Sequence, residues 1–237
     1  MHYGLLYQVF SSLGRALTVS VQETRRTAQS IVLIVEPSGG DLVEAGPKQR
    51  DVYQYKARSS GQPWSLNDVV DKVLPDLYRA VPHVPDLLTR YWLVTEGGAG
   101  KWQDARDFFA KLARIPPERL LQALDDDEKQ TYLPGRRQTE REFFLDVARR
   151  VTKGRGELED ETLTRVQRLL IDFDVKTVDF SEVQEQVTTL LLGFVEHYES
   201  LPHTVDALVG LLVRWGAEGN RSFTVDELLR SAGLAPT

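Results

Sequence analysis

The chain has 237 residues, 41% of them hydrophobic, and contains no cysteine. A chain of this length can bury a core without covalent staples, and the lack of cysteine excludes disulfides, thiolate nucleophiles and cysteine-ligated metal centres. The net charge of -6 argues against a protein that coats nucleic acid by bulk electrostatics.

A reducing, cytoplasmic location and no membrane insertion are expected. The absence of cysteine is typical of reducing compartments. The N-terminus lacks a basic leader with a cleavage site, and no apolar run approaches the roughly 20 residues that span a bilayer.

Acidic and basic residues balance over residues 1–100, so the excess of acids lies after residue 100. If DNA is a partner, the neutral N-terminal part is therefore the better candidate to contact it.

The first part of the chain predicts a helix followed by three strands. Apolar residues at helical spacing over residues 4–18 indicate a first helix. The β-branched run SIVLIVE, residues 30–36, predicts a first strand that ends at the turn signal PSGG. The segments GDLVEA and DVYQYKAR, separated by a Gly-Pro turn, complete a predicted three-strand meander.

A second helix and a fourth strand follow. Ser65 precedes the helical pattern and Asp68 stands three residues later, which is a capping-box arrangement, while Pro75 predicts a kink or an early end. RYWLVTEG, residues 90–97, predicts a strand reached across that helix, hence parallel to the third strand by a right-handed crossover.

Helical patterns dominate the rest of the chain, with KTVDF, residues 176–180, as either a short strand or a connector. The glycines of GGAGK place a boundary near residues 97–101. We therefore predict an α/β fold with a nuclease-like core over residues 1–100, followed by an all-helical annex over residues 101–237.

Three polar residues of the meander form the candidate catalytic cluster. Asp41 follows two glycines at the start of the second strand, where a phosphate backbone can approach closely. Gln54 and Lys56 are two apart on the third strand and so leave the same face of the sheet. If these strands pair antiparallel, Asp41 lies beside Gln54 and Lys56, and a carboxylate oxygen is the ligand that a hard divalent cation prefers.

The order and the residues together resemble the PD-(D/E)xK nuclease superfamily, whose core is helix, three-strand meander, helix and strand. The motif here has the form D…QxK, with Gln54 in place of the usual acidic residue. This form is similar to the Mrr-like and antiphage-defence nucleases, in which an early helix often carries a YQ pair, as Tyr7 and Gln8 do here. The resemblance covers roughly residues 4–97 and implies a restriction-endonuclease-like fold.

The resemblance also implies a role for each residue of the site. Asp41 would bind Mg²⁺, or Mn²⁺, together with the side-chain oxygen of Gln54 and the main-chain carbonyl of Tyr55. Lys56 would activate water and balance charge that develops on the phosphate. Gln8 and Glu36 are expected as supporting residues only.

The resulting hypothesis is a metal-dependent, sequence-tolerant DNA endonuclease that is the effector domain of a bacterial antiphage defence protein. Its partners would be DNA, further copies of the chain as a homo-oligomer, and an NTPase or sensor domain beyond Thr237. The alternative is a non-catalytic, nuclease-like module that oligomerises or docks a partner.

Overall fold

A computed structural model describes residues 3–22, 31–35, 40–58, 62–83, 87–98, 100, 102–125, 139–154, 158–219 and 221–234. Within these ranges the chain folds as a mixed α/β structure around one six-stranded sheet. None of the helices found there is long and apolar enough to span a bilayer.

The sheet has the order β5-β4-β3-β2-β1-β6. Strands β1, β2 and β3 form the predicted antiparallel meander, and β4 lies parallel to β3, as the crossover argument predicts. Strand β5 extends the parallel side, whereas β6 pairs antiparallel with β1 at the other edge. The strands are β1 (Val32–Val35), β2 (Leu42–Ala45), β3 (Gln49–Lys56), β4 (Leu88–Thr95), β5 (Phe173–Thr177) and β6 (Arg221–Phe223).

The helices precede, cross over and follow these strands. The order helix, meander, helix, strand is the one predicted for the first part of the chain. The helices are α1 (Tyr3–Gln22), α2 (Leu66–Lys72), α3 (Leu74–Tyr78), α4 (Trp102–Leu112), α5 (Leu120–Asp125), α6 (Glu140–Val151), α7 (Asp160–Ile171), α8 (Phe180–Leu191), α9 (Leu201–Glu218) and α10 (Val225–Ser231).

The start and end of the second predicted helix follow from local chemistry. Ser65 caps α2 by accepting a hydrogen bond from the Asp68 backbone N–H, which satisfies a donor that has no partner within the helix. Pro75 lies in the first turn of α3, where its missing N–H costs nothing. The sequence therefore breaks into two short helices at Val73 instead of forming one kinked helix.

Two hydrophobic clusters lie on the two faces of the sheet. Helices α1, α8, α9 and α10 supply the cluster on one face, whose sheet residues include Leu33, Leu42 and Tyr55. Helices α2 to α7 supply the cluster on the other face, around Val52 and Leu93. Each cluster draws on both predicted parts of the chain, so residues 1–100 and 101–237 share one sheet.

The prediction of an all-helical second part is wrong, because that part contributes β5 and β6. The helical pattern of ETLTRVQRLLIDF ends at Ile171, and Phe173 begins β5 beside Tyr91. This strand forms because its backbone groups complete the ladder of β4. Strand β6 is only three residues long, too short for any period in its sequence to indicate it.

Candidate functional site

Asp41 and Gln54 lie together on one face of the sheet, as predicted. Backbone pairing of Asp41 with Tyr53 places them there, since the Asp41 N–H donates to the Tyr53 carbonyl at 2.8 Å. The Gln54 amide nitrogen lies 3.0 Å from each carboxylate oxygen of Asp41, and the Tyr55 backbone N–H donates to one of them at 2.6 Å. Both side chains are buried, with 8% of Asp41 and 3% of Gln54 exposed.

The other predicted site residues are placed less closely. Lys56 is half-buried two residues after Gln54, and within the described ranges no hydrogen bond joins its amino group to Asp41 or Gln54. Tyr55 contacts Asp41 through its backbone N–H, and the predicted role of its carbonyl as a metal ligand stays a prediction. Gln8 lines a groove between α1 and α9 together with Val35, and Glu36 lies outside the described residues.

A relay of buried hydrogen bonds fixes the end of β3 beside this cluster. The Trp64 indole N–H donates to the Thr95 hydroxyl at 2.8 Å, and that hydroxyl donates to the Lys56 carbonyl at 2.7 Å. A Cβ on Gly97 would lie 2.2 Å from the Gln62 carbonyl oxygen, so only glycine permits this approach. These contacts therefore fix the Lys56 backbone at the end of β3.

The cluster fits a divalent cation only in part. The side-chain oxygen of Gln54 is buried without a hydrogen-bond partner, which is a costly state that a cation would relieve. Against this, the described residues contain no group of three or more acidic or histidine side chains that could hold a metal. The Mg²⁺ or Mn²⁺ site, and the roles given to Asp41, Gln54, Tyr55 and Lys56, stay predictions.

A roomier polar site lies on the opposite face of the sheet, between α1, α8 and the strands. We call it the α1 cavity. It holds about 440 Å³, and its lining includes three cations, three aromatic rings and one acid. These residues are Arg15, Arg90, Lys176, Tyr53, Tyr55, Trp92 and Asp51.

Arg15 on α1 is anchored over the sheet by Glu44 on β2. Its Nε and Nη2 atoms donate to the two carboxylate oxygens at 2.6 and 3.0 Å, a bidentate pair. The guanidinium also lies over the Tyr53 ring, 5.8 Å from its centroid. Burial disfavours the charged guanidinium, but the hydrogen bonds to Glu44 and the electrostatic effects of Tyr53, Glu44 and Tyr55 together outweigh it and raise the pKa of Arg15 above its ordinary value.

Asp51 on β3 is the acid of the cavity, and its two neighbours hold it in place. The Trp92 indole N–H donates to one oxygen at 2.8 Å, and the Gln49 amide donates to the other at 2.6 Å. Burial raises the pKa of Tyr53 beside it, so the phenol stays neutral at pH 7. The cavity thus offers three cations, one from a helix and two from strands, together with the flat face of the Trp92 indole, which its hydrogen bond to Asp51 holds in place.

Sequence reasoning missed this site because its residues are scattered over four elements. One signal was present in β3, where Asp51, Tyr53 and Tyr55 alternate with Val52 and Gln54. That pattern places an acid and two aromatic residues on the face opposite the predicted cluster. The aromatic pair is stacked in the structure, with ring centroids 6.0 Å apart.

Comparison with known proteins gives structural likeness only. No family model matches the chain, and no curated protein does. An Acinetobacter baumannii Cap4 SAVED/CARF-domain containing receptor, solved with the cyclic trinucleotide 2'3'3'-cAAA, is similar with a TM-score of 0.52 and 9% identity. The match covers 98% of this chain and 44% of that one. A Moraxella osloensis Cap4 SAVED/CARF-domain containing receptor gives a TM-score of 0.50 and 14% identity, with 98% and 47% covered.

These likenesses correct the functional hypothesis. The proteins that share the fold are described as receptors, two of them solved with a cyclic trinucleotide, and not as nuclease effectors. The prediction that this chain is the DNA endonuclease effector of a defence protein, with a nuclease-like docking module as its alternative, is therefore wrong. Membership of the PD-(D/E)xK superfamily and metal-dependent DNA cleavage as such are not tested by these likenesses and stay predictions. The chain spans less than half the length of the structures it resembles.

Proposed function

We propose that the chain is part of a receptor and that its α1 cavity binds a cyclic oligonucleotide. The observation that carries this is the lining of the cavity, in which Arg15, Arg90 and Lys176 surround a fixed tryptophan. The structural neighbours are receptors solved with and without a cyclic trinucleotide, which supports a ligand of this class.

The chemistry of the cavity suits a phosphodiester. Arg90 and Lys176 are exposed and lie on the neighbouring strands β4 and β5, so both can reach a phosphate at the mouth of the cavity. Charge-assisted hydrogen bonds of this kind are about twice as strong as neutral ones. Asp51 keeps the local charge from being uniformly positive and supplies an acceptor for the amino group of a base.

The size of the cavity limits how the ligand binds. Sites for small molecules commonly occupy about 300–1,000 Å³. At about 440 Å³ the α1 cavity lies in the lower part of that range. We therefore propose that one nucleotide of the ring enters beside Trp92 and that the remaining phosphates face Arg90 and Lys176 outside.

The test is a titration of the 237-residue chain with 3'3'3'-cAAA, in which tryptophan fluorescence is measured at each ligand concentration. We expect saturable quenching that weakens as salt concentration rises, because phosphate contacts are screened. A linear trinucleotide of the same sequence is the comparison for ring closure, and duplex DNA is the comparison for general polyanion binding. Absence of binding to 3'3'3'-cAAA, or binding of duplex DNA alone, would contradict the proposal.

Three further predictions become proposals, which concern the type of α/β fold, the longer protein and the binding partners. The order α1, β1–β3, α2, β4 supports a restriction-endonuclease-like core as a statement of fold. Because the neighbours are more than twice as long as the matched part, we propose that this chain belongs to a longer protein with a further domain and a role in antiphage defence. DNA and a second copy of the chain remain partners that the sequence predicts and binding and sedimentation experiments test.

A further inference from the structure

A second polar cavity opens on the other face of the sheet from the α1 cavity, among α3, the end of α6 and α7. It holds about 380 Å³, and Arg79, Lys153 and Arg165 line it together with the hydroxyls of Thr152 and Thr162. Among the described residues, no aspartate or glutamate belongs to this lining. We call it the basic cleft.

The lining is unusual for this chain, whose net charge is -6. Two carboxylates lie near its rim and both are already engaged. Asp76 lies 3.7 Å from the Arg79 guanidinium, and Glu161 contacts the ring of His83. Within the described lining, three cations and no carboxylate leave the cleft with an excess of positive charge.

Arg165 is oriented by carbonyl groups and not by an acid. Its Nη2 atom donates to the Val81 carbonyl at 2.8 Å and more weakly to the Tyr78 carbonyl at 3.4 Å. The guanidinium carbon lies 4.6 Å from the centroid of the Tyr78 ring, which stacks against it. These contacts fix the orientation of the Arg165 guanidinium, and its positive charge stays available to another partner.

Lys153 reaches the cleft through an unfavourable backbone conformation. Its φ is +56° and that of Gly154 is +63°, two consecutive left-handed residues that end α6. For a residue other than glycine this conformation costs on the order of 1 kcal/mol. The helix dipole explains a cation near a helix C-terminus, as for Lys153 after α6 and Arg79 at the end of α3, but it does not explain Arg165, which lies in the middle of α7.

We propose that the basic cleft binds the phosphate group of a small phosphorylated molecule. Two guanidinium groups and one ammonium group in the same lining can donate charge-assisted hydrogen bonds to the oxygens of a phosphate, and the threonine hydroxyls can add further hydrogen bonds. The residues involved are separate from those of the α1 cavity, so this proposal does not depend on the proposed function.

The test is an NMR titration of the ¹⁵N-labelled chain with pyrophosphate as the probe. We expect saturable shifts of the backbone amides of Thr152, Lys153, Gly154 and Thr162, with an affinity that substitution of Arg90 and Lys176 in the α1 cavity does not change. Arg165→Gln and Lys153→Gln should each weaken binding about tenfold, the loss of one charge-assisted contact.

A matched control separates this site from general anion binding. Arg114 is exposed and lies outside the cleft, so Arg114→Gln should leave the affinity for pyrophosphate unchanged. Lys153 is exposed, so Lys153→Gln remains informative even if Arg165→Gln disturbs the fold. Unsaturable shifts, or the same affinity in Lys153→Gln as in Arg114→Gln, would overturn the proposal.

Discussion

Strand β3 sends alternate side chains into two different environments. On the face covered by α2 to α7, which we call the α2 face, Gln54 contacts Asp41, and both side chains are buried. On the face covered by α1 and α8 to α10, the α1 face, Asp51 and Tyr53 border a cavity of about 440 Å³. Along β3 both faces carry an acid and polar partners, but on the α1 face these residues border a cavity lined by several cations, whereas the Asp41–Gln54 pair is almost fully buried.

The comparison shows what residue spacing does and does not determine. The period of two residues in a strand fixes which side chains share a face, and the antiparallel pairing of β2 with β3 brings Asp41 beside Gln54. It says nothing about the helices that cover each face, and those helices decide whether room remains. The sequence can therefore locate a polar cluster, but it cannot show whether the covering helices leave room for a ligand beside it.

The largest effect we expect is from Asp41→Ala on stability. Removing the carboxylate leaves the buried Gln54 amide and the Tyr55 N–H without their acceptor, at about 1–3 kcal/mol for each group. We expect a loss of about 3 kcal/mol in the free energy of unfolding, measured by urea denaturation. Asp41→Asn, which keeps one acceptor oxygen, should lose about half as much, and a loss below about 0.5 kcal/mol in Asp41→Ala would show that the α2 face is not packed as described.

The next effect concerns ligand affinity at the α1 cavity. In the double variant Arg90→Gln/Lys176→Gln, two charge-assisted contacts to phosphate are lost. We expect affinity for 3'3'3'-cAAA to fall about a hundredfold, which corresponds to about 2.7 kcal/mol. Titration calorimetry measures this.

Arg119→Gln, an exposed arginine far along the chain from the cavity residues, is the control and should bind normally. Equal affinity in the double variant and in this control would show that Arg90 and Lys176 do not contact the ligand. Since both residues are exposed, their substitution is not expected to change the unfolding free energy by more than about 0.5 kcal/mol.

Much of the fold follows from sequence, and the exceptions have physical causes. Apolar runs predicted β1 and β4, the alternation of DVYQYKAR predicted β3, and the helix between β3 and β4 predicted their parallel pairing. The segment PERLLQALD has a helical pattern, yet Pro117–Arg119 forms a 3-10 turn before α5. KTVDF overlaps β5 only at Lys176 and Thr177, because the edge strands β5 and β6 form through pairing with residues distant in sequence.

The site was predicted only in part for a similar reason. Asp41, Gln54 and Lys56 stand within 16 residues of one another in a hairpin, so their proximity follows from local pairing. The α1 cavity needs Arg15 from α1, Lys176 from β5 and Trp92 from β4. Residues from such distant parts of the chain meet only through the tertiary fold.

A smaller effect is expected at the start of α2, on the packed face. Asp68 accepts hydrogen bonds from Lys72 and Arg58 at 2.6 and 2.8 Å, and these hold its pKa well below the ordinary value. Because its folded-state pKa is depressed, ionised Asp68 stabilises the fold above its unfolded pKa of about 3.9. That stabilisation is lost as pH falls below this value toward the folded-state pKa.

Asp68→Asn should therefore cost about 1 kcal/mol at pH 7, since the carboxylate is partly exposed to screening solvent. The difference from the parent chain should disappear toward pH 2, as measured by urea denaturation at a series of pH values. A difference that is constant from pH 7 to pH 2 would show that the effect is not electrostatic.

The smallest effect is expected from Tyr53→Phe in the α1 cavity. The Tyr53 hydroxyl donates to Glu44 at 3.4 Å, a long contact, while Arg15 already satisfies that carboxylate. We expect a change of less than about 0.5 kcal/mol in the unfolding free energy and less than about twofold in ligand affinity. A tenfold loss of affinity would mean that the hydroxyl, and not only the ring, contacts the ligand.

The most direct measurement uses two tryptophan indole groups, one on each face of the sheet. The Trp92 N–H donates to Asp51 in the α1 cavity, and the Trp64 N–H donates to Thr95 beside the end of β3. In ¹H–¹⁵N spectra, assigned with Trp→Phe variants, addition of 3'3'3'-cAAA should shift the Trp92 indole signal and leave that of Trp64 in place. A shift of Trp64 with Trp92 unchanged, or no shift of either, would contradict binding in the α1 cavity.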